Sequence, residues 1–95
     1  MTRMFNPPHP GRQLKEALET LPITVTEFAK HIGITRGMLS RVLNEKAGIT
    51  AEMSMKLGEA FDNTPDLWFK MQVAHDFWVA SQAKRNKVGL LRRAA

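Results

Sequence analysis

Arg36, Ser40, Arg41 and Asn44 recur at a spacing that places all four on one side of a helix. Each carries a hydrogen-bond donor, and an arginine so placed can grip the two acceptors of a guanine edge at once. Such a face can read base edges in a DNA major groove, and Thr35 and Gly37 complete it. Thr26, Asn44 and Lys46 suit phosphates, contacts that set position more than sequence. The competing reading of any one of these residues is a solvated surface side chain. Catalysis has no comparable set. Glu27 and His31 stand at i and i+4 but lack the second histidine of a metalloprotease signature, and His9, His31 and His75 have no metal-ligand spacing. No glycine loop suited to phosphates and no nucleophile beside a base is present, so neither an enzyme, a metal site nor a cofactor is expected.

The elements that must position this face lie within Thr24–Asn44, which reads as two short helices meeting at Gly33. Thr24 can cap the first, Val25 to Ile32, with Glu27 returning the bond as a capping box. Thr35 can cap the second in the same way. Gly33 supplies the positive φ that a tight turn between helices needs, and Ala29 permits the close crossing of the two axes. Phe28, Ile32, Ile34, Leu39 and Val42 then point to a common core. Together these spacings are a helix-turn-helix signal, the competing reading being an ordinary helical hairpin capped by Gly33.

The chain has 95 residues, a length suited to one domain with a single core. It contains no cysteine, which excludes a disulfide framework and fits a reducing compartment. No apolar run approaches membrane-spanning length and no signal-peptide core is visible, so a cytoplasmic protein without a membrane partner is expected. The net charge is +5, carried entirely by Lys84, Arg85, Lys87, Arg92 and Arg93, because Met1–Ala83 is balanced. Ala47–Ala83 is itself acidic, so the basic reading face and the acidic second half oppose one another.

In chain order, residues 1–10 read as an extended, proline-rich arm. Leu14, Ala17, Leu18 and Leu21 form the stripe of a first helix that Pro22 ends. The helix-turn-helix runs out at Glu45-Lys46-Ala47-Gly48, with Gly48 as the stop. Thr50 caps a fourth helix with Met53, Leu57, Ala60 and Phe61 inward, and Asn63-Thr64-Pro65-Asp66 starts a fifth. There Trp68, Met71, His75, Trp78 and Val79 trace one stripe. Two tryptophans beside Phe69 and Phe77 exceed what so small a core can hide, which makes Trp68, Met71 and Trp78 candidates for a dimer or partner surface. A single well-filled core is the competing reading. The architecture expected is all-α, five helices forming a DNA-binding unit over 1–83 with its motif at about 24–44, followed by a basic tail, 84–95, free of fixed structure.

The run Phe28-Ala29, Gly33-Ile34-Thr35 and Leu39–Asn44 resembles the helix-turn-helix of Cro and phage repressors. Adding His9-Pro10-Gly11, Ile49-Thr50-Ala51-Glu52-Met53 and Trp68-Phe69-Lys70-Met71-Gln72, the chain resembles the HigA family of antitoxins over about His9–Ala80. That resemblance implies a homodimer that binds a palindromic operator, represses its own operon and neutralises a partner toxin, HigB, an mRNA-cleaving ribonuclease. The alternative is a stand-alone regulator of the phage-repressor type. Three departures qualify the resemblance: Gly37 in the recognition helix lowers its intrinsic stability by up to about 1 kcal/mol relative to alanine while allowing close approach to DNA, and two more bear on DNA contact. Val25 stands where the family often has a phosphate-touching glutamine, and Glu45 replaces the glycine of the usual Asn-Gly-Lys after the recognition helix. The acidic residues Glu52, Glu59, Asp62, Asp66 and Asp76 can meet a basic ribonuclease or simply face solvent. The basic tail has three open roles: DNA contact, dimer contact through Leu90 and Leu91, or none.

Overall fold

Five segments form helices in the computed structural model, which describes residues 6–92. They are α1 (Pro10–Glu19), α2 (Val25–Ile32), α3 (Arg36–Leu43), α4 (Ala51–Phe61) and α5 (Leu67–Gln82), with no strand among the described residues. Residues 1–5 of the expected arm and 93–95 of the tail lie outside the described residues. Residues 6–9 have no regular structure, and 84–92 are exposed and without secondary structure.

The helix starts follow local chemistry. Thr24 Oγ1 accepts from Glu27 N at 3.1 Å while the Glu27 carboxylate accepts from Thr24 N at 2.8 Å, closing the capping box. Thr35 and Thr50 accept from Met38 N and Met53 N, without a returned bond in either case. At α1 the cap is His9, whose ring Nδ1 accepts from Gly11 N at 2.9 Å, and Pro10 takes the first helical position, where a missing N–H costs nothing. Gly33 closes α2 at φ 79.

The core takes Leu14 and Leu18 from α1, Phe28, Ala29 and Ile32 from α2, and Leu39, Val42 and Leu43 from α3. Ile49, Met53, Leu57 and Trp68 complete it. Ile34 packs against its edge, half-buried. Phe61 links the layers, its ring 5.7 Å from Phe28 and 5.8 Å from Trp68. α3 is thereby held by α2 on one side and α1 on the other, while α5 lies against α1 and α4. Leu39 is fully enclosed, so truncating it to alanine would cost about 2–5 kcal/mol.

Several expectations are corrected. Leu21 lies beyond the end of α1 and is 40 % exposed, because the helix stops at Glu19 with Thr20 as its cap. Ala60 is exposed, at the rim of the α4 stripe. Gly48 does not stop α3. The helix runs to Leu43 with Asn44 as its C-cap, and the chain reverses at Glu45, a non-glycine residue held at φ 60. Nor does Asn63 or Thr64 cap α5. Thr64–Asp66 form a turn closed by Leu67 N donating to Thr64 O, so α5 begins at Leu67 with no side-chain cap from Asp66. The cap comes from α4, where Ser54, fully buried, accepts from Phe69 N at 2.9 Å and donates to Pro65 O at 2.7 Å.

Candidate nucleic-acid interface

α3 presents the expected outer face. Arg36, Gly37, Arg41 and Asn44 are exposed and Ser40 partly so, opposite buried Leu39, Val42 and Leu43. Thr35 is exposed at the N-cap, its hydroxyl oxygen already engaged by Met38 N. Asn44 Nδ2 donates to Ser40 Oγ at 3.4 Å, tying two of these side chains together one turn apart. The two guanidiniums have no ion-pair partner within 4.0 Å among the described residues, so both cations are available to an anionic ligand.

The flanking elements supply further polar groups. Thr26, in the first turn of α2, is exposed, as is Lys46 after α3. Lys46 N donates to Arg41 O at 2.8 Å, fixing the loop to the end of the reading helix. A groove of about 490 Å³ runs beside α3, with Lys15, Thr24, Arg36, Ser40 and Asn44 on its walls. Val25, where a glutamine would reach outward, is half-buried against the core. Glu45 turns its carboxylate toward Arg12 Nε at 3.7 Å, a solvent-exposed pair.

α3 is held in place largely by residues from outside the α2–turn–α3 unit. A Cβ on Gly11 would collide with the Val42 carbonyl, so the glycine lets α1 press directly on the end of the reading helix. Lys56 Nζ donates to Gly33 O at 3.3 Å, steadying the turn from α4. Gln72, buried, accepts from Ile49 N at 2.8 Å and donates to Asp76 Oδ1 at 2.9 Å, anchoring the chain after α3 onto α5. His9 stacks edge-on against His75 at 5.1 Å, and the His75 Nδ1–H donates to Pro7 O at 2.9 Å. Burial and the neighbouring His75 hold His9 below its ordinary value of 6.5, against the opposing pull of Glu45 and Asp76. The Glu27 carboxyl is lowered by its bonds from Thr24, and Asp66 by Lys70, 3.0 Å away. Among the described residues no group of three acidic, histidine or cysteine side chains could hold a metal. No helix there is long and apolar enough to cross a membrane.

The proposed partner surface needs revision. Trp68 is 6 % exposed and belongs to the core, Met71 packs against that core, and Trp78 is half-buried. The apolar side chains left exposed on α5 are Leu67, Phe69, Val73, Phe77 and Val79, the last against its expected place on the inward stripe; Phe69, Val73 and Phe77 follow one another a turn apart, with Phe77 73 % exposed.

Two short helices crossing at a left-handed glycine, the second with a cationic outer face, define a helix-turn-helix protein, and the helix-turn-helix family signature matches residues 14–68. Virulence-associated protein A′ of Dichelobacter nodosus is 42 % identical over 94 % of this chain and 78 % of its own length. An addiction-module antidote protein of the HigA family from Coxiella burnetii superposes with a TM-score of 0.75 at 34 % identity, covering 80 % of this chain and 84 % of that one. Pseudomonas aeruginosa antitoxin HigA, solved with the higBA promoter, gives 0.74 at 28 % identity, over 78 % and 82 % of the two chains. The chain belongs to the helix-turn-helix family, in the branch that includes the HigA antitoxins.

Proposed function

We propose that this chain is a sequence-specific DNA-binding autorepressor that also neutralises a HigB-like, mRNA-cleaving ribonuclease, and that it performs no catalysis. The observation that carries the DNA half is the free cationic face of α3, backed by a rigidly capped turn. Arg36 and Arg41 take base edges or nearby phosphates, supported by Thr35, Gly37 and Ser40. Thr26, Asn44 and Lys46 grip the backbone on either side. The P. aeruginosa relative solved with its promoter supports this assignment. Replacing Arg41 with alanine is expected to weaken operator binding by roughly 1–3 kcal/mol. Unchanged affinity in a mobility-shift titration removes Arg41 from the reading set.

One α3 spans only a few base pairs, so useful specificity requires two copies on a palindrome. The stripe Phe69, Val73 and Phe77 suits a second copy, since an exposed apolar line of this kind is what an isologous contact buries. Phe77→Lys is expected to yield a monomer in sedimentation, and a persisting dimer places the contact elsewhere.

The toxin half rests on kinship with the HigA branch and on the acidic balance of Ala47–Ala83, which suits a basic ribonuclease. Co-expression with the product of the adjacent small gene tests it. Copurification with relief of growth arrest supports the antitoxin. Failure to copurify, with promoter binding intact, leaves a stand-alone repressor.

A further inference from the structure

Met38 is the single large apolar side chain exposed on the α2–turn–α3 unit, at 40 %. It stands on the reading helix itself, three residues before Arg41 and therefore beside it on the surface. On its other flank lies a shallow hollow of about 130 Å³ whose walls include Ile34, Thr50, Met53 and Lys56. The methionine is thus backed by apolar neighbours while its tip stays open. Just before it, a Cβ on Gly37 would meet nothing within 4 Å, so the helix surface there is open to another molecule. An unbranched thioether offers no useful hydrogen bond to a base edge, but it adapts its shape to a small apolar group. In the major groove one such group exists, the C5-methyl of thymine, which cytosine lacks.

We infer that Met38 is a specificity-determining residue that reads a thymine methyl beside the base contacted by Arg41. The inference rests on the DNA-reading function proposed above and adds a second, apolar channel to it. Arginine selects acceptors, and methionine selects the methyl.

The test uses duplexes selected from a random pool by the full-length protein. Each thymine of the selected site is replaced in turn by uracil, which removes only the C5-methyl, and binding of wild type and Met38→Ala is titrated. At one thymine in each half-site, uracil is expected to weaken the wild type about fourfold, the effect of losing one buried methyl. Met38→Ala should bind the unmodified duplex more weakly by the same factor and show no further loss with uracil at that position. Met38 packs on the rim of the core, so the titrations are run well below the thermal midpoint measured for the variant, which separates lost reading from lost fold. If Met38→Ala keeps the full uracil penalty at every thymine, or binds the unmodified duplex as tightly as wild type, the inference is overturned. If the wild-type protein enriches no duplex at all, the DNA-reading function fails and the inference falls with it.

Discussion

Replacing Gly37 with alanine should move stability and DNA affinity in opposite directions. Gly37 is the second residue of the eight-residue α3, its φ is not positive, and an added methyl would touch nothing in the chain. Alanine therefore removes the backbone-entropy cost of glycine without adding strain. That cost approaches about 1 kcal/mol in a helix interior and is smaller in the first turn, so the free protein should gain roughly 0.5 kcal/mol. For a domain of this size the gain corresponds to a rise of roughly 2–4 °C in thermal midpoint, with the urea midpoint raised and the m-value unchanged. The same methyl projects from the surface assigned to the base edges. Overpacking a close contact costs about 1–3 kcal/mol, so operator affinity should fall roughly fivefold or more in a mobility-shift or fluorescence titration. A stabilised variant with unaltered affinity would show that DNA does not approach Gly37. The reading set would then shift toward Arg41 and the end of α3. Loss of stability would refute the helical argument itself.

Other perturbations test how the reading helix is held. Glu45 occupies a left-handed conformation that costs a residue with a Cβ about 1–2 kcal/mol, and its exposed pair with Arg12 at 3.7 Å returns little of that. Glu45→Gly should therefore raise stability by roughly 0.5–1 kcal/mol in urea denaturation and tighten DNA binding by removing a negative charge; a drop in the urea midpoint would contradict this. Ser54→Ala strands the Phe69 N–H and the Pro65 carbonyl, at about 1 kcal/mol each. Its thermal midpoint should drop by roughly 10 °C, with amide exchange quickening at Phe69, and near-wild-type stability would show that water replaces the hydroxyl. The His9 cap requires an unprotonated Nδ1, and its folded value lies below 6.5. The unfolded chain thus takes up the proton first, so this contribution to stability is fully present above pH 6.5 and is lost as pH falls through the folded value. Urea midpoints measured from pH 7.5 to 5 should decline less for His9→Ser, which caps without titrating; equal slopes would rule out His9 as the source.

The sequence by itself determined the elements whose causes are local. A capping hydroxyl and the amide it serves lie three residues apart, as at Thr24, Thr35 and Thr50, and Gly33 meets its turn within the same few residues. The cationic face of α3 was legible for the same reason, since helical spacing alone separates Arg36 and Arg41 from Leu39 and Val42. Tertiary structure decided whatever depends on partners distant along the chain. Ser54 caps α5 from another helix, Gln72 holds Ile49 across 23 residues, and Gly11 is required only because Val42 comes to rest on it. Each reads in sequence as an ordinary small or polar residue. α5 was ambiguous for a further reason. Its apolar side chains surround the axis, so the stripe from Trp68 to Val79 was one choice among several, and only packing against α1 and α4 placed Trp68 inside and Phe69, Val73, Phe77 and Val79 outside. The reversal after α3 likewise fell at Glu45 and not at Gly48, because the bonds from Glu45 N to Val42 O and from Lys46 N to Arg41 O set the backbone there against the residue's own preference.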